Sequence, residues 1–295
     1  MTKIREYGSL DEAVRDIFGS GRKTAVKKPV CGGDINDACA VTLDDGTVIF
    51  MKTNTSSAIS NFRAEAAGLD CIRGTGTIRC PQVLAAGTDH GSAFLLMEFI
   101  AGAPRIRDYW ETFAAELAAM HKAKTAEKDA LFGFGSDNYI GSSVQINARR
   151  GTWTDFFRDC RLGPQFRSAM EYFDGEDRKR ITRLLSNLDK YLTEPERPAL
   201  LHGDLWSGNV ITGPDGKAWL IDPAVYYGHP EADIAMTELF GGFPSVFYQA
   251  YRSAAGLSPD YPERRDLYNL YQLLNHLNLF GSMYLSSVRS ILRRY

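Results

Sequence analysis

No run of about 18 apolar residues occurs in this 295-residue chain, so nothing in it reads as a membrane-spanning helix. The opening stretch, MTKIREYGSLDEAV, lacks the apolar core of a secretory signal. Cysteine is sparse. The five residues Cys31, Cys39, Cys71, Cys80 and Cys160 are odd in number and scattered, which argues against a disulfide framework. No CxxC pair is present, which argues against a structural zinc site. A reducing, cytoplasmic setting is expected. Positive charge is not in excess: 34 Lys and Arg against 36 Asp and Glu give a net charge of -2. No overall field would therefore draw the chain to nucleic acid, and neither nucleic acid nor membrane is expected as a partner. Internal repeats and low-complexity tails are also missing. What remains is the composition of an ordinary globular protein, 44% hydrophobic and 24% charged, and a 12% aromatic share that argues against disorder.

The pattern of residues changes once along the chain. Ser9 and Glu12 fit a capping box, which predicts a helix from near Leu10 to Gly19. Ala38–Leu43 and Thr47–Thr53 read as strands joined at Asp45-Gly46, a strong hairpin signal. A helix over Ala58–Arg73 and strands over Gln82–Gly87 and Ala93–Phe99 follow. Ala101-Gly102-Ala103-Pro104 then breaks the pattern. Beyond it the chain is mainly helical, with helices expected over 109–124, 152–165, 176–192, 231–240, 244–255 and 263–285. A hairpin around Gly213-Pro214-Asp215-Gly216 interrupts them. The reading is an α+β protein with a small β-rich N-lobe, residues 1–100, and a larger mainly helical C-lobe, residues 101–295. Ligands often bind between two such halves.

Leu201–Val210, LHGDLWSGNV, carries the most specific chemical signal. His202, Asp204 and Asn209 have the H-x-D-x-x-x-x-N spacing of a kinase catalytic loop. In that pattern Asp204 accepts the proton of the substrate hydroxyl and Asn209 ligates magnesium. A short hairpin then leads to Asp222, a second carboxylate for the metal. One Asn and one Asp suffice, because magnesium keeps water and phosphate as its remaining ligands. The first half supplies the complement. Lys52 ends the strand TVIFMKT, where it would meet the α- and β-phosphates of ATP, and Glu65 on the next helix would pair with it. Gly32 and Gly33 form a glycine turn before the first strand that would let backbone N–H groups approach phosphate. Met97-Glu98-Phe99-Ile100 falls at the junction of the halves, where Glu98 and Ile100 would offer backbone groups to adenine. The expectation is a bilobal, protein kinase-like fold that uses ATP and Mg2+.

These residues, taken together, resemble the fructosamine kinase (ketoamine kinase) family, a branch of the aminoglycoside phosphotransferase-like kinases. LLHGDLWSGNV, the run Asp222-Pro223-Ala224, Tyr227-Gly228-His229-Pro230-Glu231 and Phe240-Gly241-Gly242-Phe243-Pro244 carry the likeness. IFMKT around Lys52 and Thr152-Trp153 before Phe156-Phe157 add to it. The resemblance implies the roles above for Lys52, Glu65, Asp204, Asn209 and Asp222. It also implies a substrate, a sugar ketoamine phosphorylated at its 3-hydroxyl, free or on a protein amine. A phosphate placed there is a good leaving group beside the C2 carbonyl, so the product can decompose and free the amine. One departure stands out: Asp34 occupies the place where eukaryotic members carry a Cys before the Ile of the glycine loop.

Candidates for the sugar side are Trp206 inside the catalytic loop, and Gln145, Asn147, Trp153, His229 and Glu231. Asp233 is expected to brace the catalytic loop, and His121 and His202 to be structural. Gly203 stands where protein kinases place an Arg, and Pro223 follows Asp222, so control by loop phosphorylation is not expected. A kinase of another amine-bearing hydroxyl compound, such as an aminoglycoside or a choline-like amine, is the alternative. A nucleotide-binding pseudokinase is a more distant one, since the Lys, the base and both metal ligands are all present.

Overall fold

Alternation along the early strands builds a six-stranded sheet in the computed structural model, which describes residues 4–30, 36–124 and 131–295. These residues group into two units, Met1–Tyr109 with Ile211–Asp222, and Trp110–Val210 with Pro223–Tyr295. The first unit contains β1 (Glu6–Tyr7), α1 (Leu10–Phe18), β2 (Thr24–Pro29), β3 (Asp37–Leu43), β4 (Val48–Thr55), α2 (Ile59–Gly74), β5 (Val83–Asp89) and β6 (Ser92–Glu98). The strand order is β1-β5-β6-β4-β3-β2, with β1 parallel to β5 and the other pairs antiparallel.

The capping box forms as the sequence predicts. Ser9 Oγ accepts the Glu12 N–H at 3.1 Å, and the Glu12 carboxylate reaches back to the Gly8 N–H at 3.1 Å. Leu10, Ala13 and Val14 of α1 then pack on Val41, Leu43, Ile49, Met51 and Leu96 of the sheet. Period two along β4 sends Ile49 and Met51 into this core and turns Lys52 to the opposite face. Two strands of this unit lie outside the sequence reading, as do four short strands of the second unit. β1 is only two residues long, and β2 (TAVKKP) is an exposed edge whose two lysines and proline break any alternation. The hairpin of β10 (Val210–Thr212) and β11 (Ala218–Leu220) belongs to this first unit from Ile211 onward. It is tied to the unit by the Leu220 N–H on the Arg79 carbonyl at 2.8 Å and by Arg79 on Asp215 at 3.0 Å.

The second unit is helical. It holds α3 (Tyr109–Lys122), β7 (Asn138–Ile140), β8 (Ser143–Gln145), α4 (Trp153–Phe156), α5 (Gly163–Ser168), α6 (Gly175–Ser186) and β9 (Ala199–Leu201). After the hairpin of β10 (Val210–Thr212) and β11 (Ala218–Leu220) come β12 (Tyr226–Gly228), α7 (Glu231–Leu239), α8 (Ser245–Ala255), α9 (Tyr261–Phe280) and α10 (Leu285–Leu292). Most of α9 is buried, and it packs on α7. The helix expected over 152–165 is instead α4, a π-helical stretch Phe157–Leu162, and α5. Within the wider turn lies Arg161, which is fully buried and donates to the Ile146 and Cys160 carbonyls. The helix expected over 263–285 stops at Gly281, whose φ of +88° ends it while its N–H caps the Leu277 carbonyl. Among the described residues, Cys39, Cys71, Cys80 and Cys160 are not in disulfides, and no helix is long and apolar enough to cross a membrane.

Candidate active site

In the first unit, Lys52 sits on a central strand between Ala38 of β3 and Leu95 of β6 and is almost fully buried. An isolated ammonium there would be costly, and it is not isolated. Its Nζ donates to Glu65 of α2 at 2.7 Å and to Asp222, so two carboxylates converge on one cation. Burial by itself would lower the Lys52 pKa; Glu65 and Asp222 outweigh it and raise the pKa, which keeps Lys52 an ammonium. Asp222 lies just past β11 with φ +53°, in the left-handed region that short polar residues tolerate best. Its side chain keeps about two-fifths of its surface exposed (39%), unlike Glu65 at 13%. The Lys52–Glu65 pair that sequence order suggested is thus formed, and Asp222, 170 positions from Lys52, joins it.

Glu98 ends β6. Its backbone N–H is taken by the Gln82 carbonyl at 2.8 Å and its carboxylate accepts the Gln82 N–H at 3.1 Å, so that N–H is not open to a nucleobase. Ile100 lies two residues past the strand, partly buried. Gly32 and Gly33, with Cys31 and Asp34, lie outside the described residues.

In the second unit, the catalytic loop follows β9, which pairs with β12 at Leu201↔Tyr226. Its backbone groups are taken up by buried partners. The carboxylate of Asp233, near the start of α7, accepts the His202 N–H at 2.7 Å and the Gly203 N–H at 2.9 Å. The Gln272 amide of α9 donates to the Gly203 carbonyl at 3.1 Å, and the Ala224 N–H to the His202 carbonyl at 2.8 Å. His202, fully buried, accepts the Asp204 N–H on Nδ1 at 3.3 Å. Only glycine fits at 203: φ is +84° and a Cβ would fall 2.0 Å from the Ala224 carbonyl oxygen. The Gly in place of a protein-kinase Arg therefore has a local packing reason.

Asp204 projects from this fixed turn, partly exposed. Asn209 donates its amide N–H groups to the Asp204 carbonyl at 2.8 Å and to the Asp204 carboxylate at 3.0 Å. The Asn209 amide oxygen, a hard donor of the kind magnesium takes, accepts no hydrogen bond among the described residues. Asp222 offers a second hard oxygen, so the donor chemistry of these two residues fits the metal. Trp206, Ser207 and Gly208 are the exposed stretch of the loop, and the Trp206 ring lies edge-on to Phe240 at 6.3 Å. Gly208 makes room for that ring, since a Cβ there would lie 2.3 Å from it.

The remaining sugar-side candidates are placed in the interior. Gln145 donates to the Ala224 carbonyl at 3.0 Å and to Asn138 at 2.7 Å, and accepts the Tyr271 hydroxyl at 2.8 Å. Asn147 donates to Asn138 at 2.9 Å and accepts from Arg161 at 2.8 Å. Trp153 is fully buried among Phe132, Phe156, Phe157, His229 and Tyr268. His229 is buried and neutral, its pKa lowered by desolvation to about 4, and Glu231 is locked bidentate on Arg264 at 2.7 and 2.8 Å. None of these five offers an exposed face comparable to that of Trp206. The supporting residues Asn138, Arg161, Tyr271 and Gln272 escaped the sequence reading. One signal was there: Asn269, Gln272 and Asn275 set a polar row among the leucines and tyrosines of 267–274, and all three are buried.

Comparison with known proteins gives the class and then the family. A solved aminoglycoside phosphotransferase, in ternary complex with AMP-PNP and hygromycin B, superposes with a TM-score of 0.63 at 18% identity, over 96% of this chain and 98% of that one. At that identity the likeness shows the fold alone, which is protein kinase-like. Residues 8–295 match the family model of fructosamine kinases. The chain is 38% identical to a probable ketoamine kinase of Synechocystis over 98% of its length and 96% of the relative's. It is 40% identical to the chloroplastic protein-ribulosamine 3-kinase of Arabidopsis thaliana, over 97% and 88%. A crystal structure of a candidate fructosamine-3-kinase from Haemophilus somnus superposes with a TM-score of 0.86 at 30% identity, over 97% and 96% of the two chains. The protein is thus a phosphotransferase of protein kinase-like fold that acts on a hydroxyl group. It belongs to the fructosamine kinase family.

Proposed function

We propose that this chain transfers the terminal phosphoryl group of ATP to the 3-hydroxyl of a sugar ketoamine, a fructosamine or a ribulosamine, in a reducing cytoplasmic setting. The observation that carries the chemical part is the Asp204–Asn209 couple, two side chains joined at 3.0 Å on a turn whose backbone is held by buried partners. Asp204 is the carboxylate that accepts the proton of the attacking hydroxyl. Lys52, kept cationic by its carboxylates, is the group for the α- and β-phosphate oxygens, with Glu65 orienting it. Asn209 and Asp222 would hold a magnesium ion, which when bound neutralises charge on the β- and γ-phosphates. Gly32 and Gly33 are assigned to the phosphates and Ile100, with the carbonyl of Glu98, to adenine. Trp206 is assigned to the sugar. Gln145, Asn147, Trp153, His229 and Glu231 support this site from the interior. Little covalent work is required of the protein, since the transferring phosphoryl needs positioning and charge.

Magnesium-dependent ATP consumption measured on fructoselysine, a ribulosamine and an aminoglycoside tests the reading. Turnover on the ketoamines, abolished when the 3-hydroxyl is removed, is expected. Turnover on the aminoglycoside alone would replace it with the other amine-bearing substrate class. Nucleotide binding without turnover on any of the three would point to a pseudokinase.

A further inference from the structure

We propose that the loop 240–244 helps set affinity on the sugar side by seating Phe240 against Trp206, and that Tyr248 is the residue positioning this loop. The inference rests on the assignment of Trp206 to the sugar. Phe240-Gly241-Gly242-Phe243-Pro244 joins α7 to α8, and its two phenylalanines enter different clusters. Phe243 is buried, its ring 5.2 Å from Trp110, 5.6 Å from Phe113 and 4.9 Å from Phe247. Phe240 is half-buried, its ring edge-on to Trp206 at 6.3 Å and 4.8 Å from His276. Between them Gly241 and Gly242 take φ of +93° and +69°, the left-handed region that glycine enters freely. Crowding is not what calls for glycine here. A Cβ at 241 would meet nothing within 4 Å, and one at 242 only the Tyr248 hydroxyl at 3.8 Å. The pair is a backbone reversal that sends one ring into the interior and the other to the catalytic loop.

Two adjacent glycines offer no side chain to hold such a turn, and Tyr248 on α8 supplies the tie. Its hydroxyl oxygen accepts the Phe243 N–H at 2.9 Å. Thr237 Oγ1 of α7 lies 3.2 Å from the same oxygen and 2.6 Å from the Ile234 carbonyl. A hydroxyl has one hydrogen and a carbonyl only accepts, so the Thr237 hydrogen goes to Ile234 and the Tyr248 O–H donates to Thr237. Burial raises the Tyr248 pKa, so the phenol keeps that hydrogen. One hydroxyl thereby joins the helix before the loop, the loop itself and the helix after it. Losing it leaves the Phe243 N–H without its partner and loosens the turn that carries Phe240. The Trp206 ring would then lose the neighbour on which it rests. The backbone at 202 and 203, before Asp204, is held separately by Asp233 and Gln272, so the base itself should stay in place.

The test uses the full chain with Tyr248→Phe, Gly241→Ala and Phe240→Leu. Acrylamide quenching of Trp206 emission, with Trp206→Phe as the blank, reads the contact directly. Steady-state kinetics with fructoselysine and ATP read the consequence. Tyr248→Phe keeps the ring and removes the tie; it should raise quenching and raise KM for fructoselysine roughly twofold to tenfold, the range of one aromatic contact. Both kcat and KM for ATP should stay within about twofold, a split that general loss of structure would not give. Phe240→Leu should act in the same direction and at least as strongly. Gly241→Ala, which meets no neighbour, should do the same through its φ alone. Unchanged quenching in Tyr248→Phe, changed quenching with an unchanged KM, or a fall in kcat as large as the rise in KM would each overturn the proposal. If Tyr248→Phe does not fold, the same two readings on Phe240→Leu decide. Only the kinetic arm rests on a ketoamine substrate. A wild-type chain inactive on every ketoamine would refute that reading, while the quenching arm still decides whether Tyr248 and Phe240 hold Trp206.

Discussion

Around Lys52 in the first unit, position is set by charge: one ammonium between Glu65 and Asp222, with the strand register supplying the height. Around Asp204 in the second unit, position is set by backbone groups caught on buried side chains, among them Asp233, Gln272 and His202. The two arrangements suit different tasks. A cation shared by two carboxylates can exchange a partner for phosphate oxygens with little loss. A loop whose N–H and C=O groups are taken by several interior partners cannot move without leaving some of them unsatisfied. The first device suits a group that must adapt to an incoming nucleotide; the second suits a base that must stay where it is.

The sharpest way to break this contrast is to remove each centre while leaving its holder. Asp204→Asn keeps the turn and removes the base, and turnover should fall by about 10²–10⁴-fold with ADP affinity retained. Comparable turnover in single-turnover assays would remove Asp204 from its role. Lys52→Met does the reverse, leaving Glu65 buried without its cation. Breaking a buried pair this way costs roughly 3–5 kcal/mol, read by urea denaturation. Adding Glu65→Gln should recover part of that loss without restoring turnover. A double variant no more stable than Lys52→Met alone would show that charge is not what holds this region.

The scaffold of the second unit has its own signature with pH. Burial holds His229 neutral with a pKa near 4 against an ordinary 6.5; Arg264 pushes the same way and Glu231, 4.0 Å away, opposes. Between those values the unfolded chain binds a proton that the folded chain refuses. Stability is therefore full above about pH 6.5 and falls as the pH drops towards 4, by roughly 3 kcal/mol in total. His276, also lowered by burial, adds in the same direction. His229→Gln should flatten the window in denaturation curves taken from pH 7 to 4; an unchanged slope would place the effect elsewhere. Gly203→Ala tests the turn itself. The unfavourable φ alone costs about 1–3 kcal/mol, and the clash of the new Cβ with the Ala224 carbonyl adds to it, with a fall in kcat. An alanine tolerated in both respects would mean the turn is softer than its bonding suggests.

Much of this was legible in the residues. Capping at Ser9, the Asp45-Gly46 hairpin and the H-x-D-x-x-x-x-N spacing are local signals, complete within a few positions, and each takes the expected local form. Lys52 and Glu65 could be matched because the order of elements along the chain constrains which side chains can meet; the contact of Lys52 with Asp222, which the sequence reading gave to the metal, was not foreseen. The sugar-side candidates were harder. Trp153, Gln145, Asn147, His229 and Glu231 sit in runs shared with the family, but a shared run does not say whether a side chain faces solvent or the interior.

By itself, then, the sequence determined the class of chemistry and pointed to the groups proposed for it, because candidates for a base, a metal-ligating amide and a phosphate lysine are picked out by type and spacing. The tertiary structure alone decided which polar residues are scaffold. Burial and hydrogen-bond partnership arise from distant segments: Arg161 reaches Asn147 through a π-helical turn, Tyr271 reaches Gln145 across 126 positions, and Asp233 gathers both His121 and the catalytic loop. No local pattern encodes such convergence, since each partner on its own is an ordinary polar residue on an ordinary helix or strand.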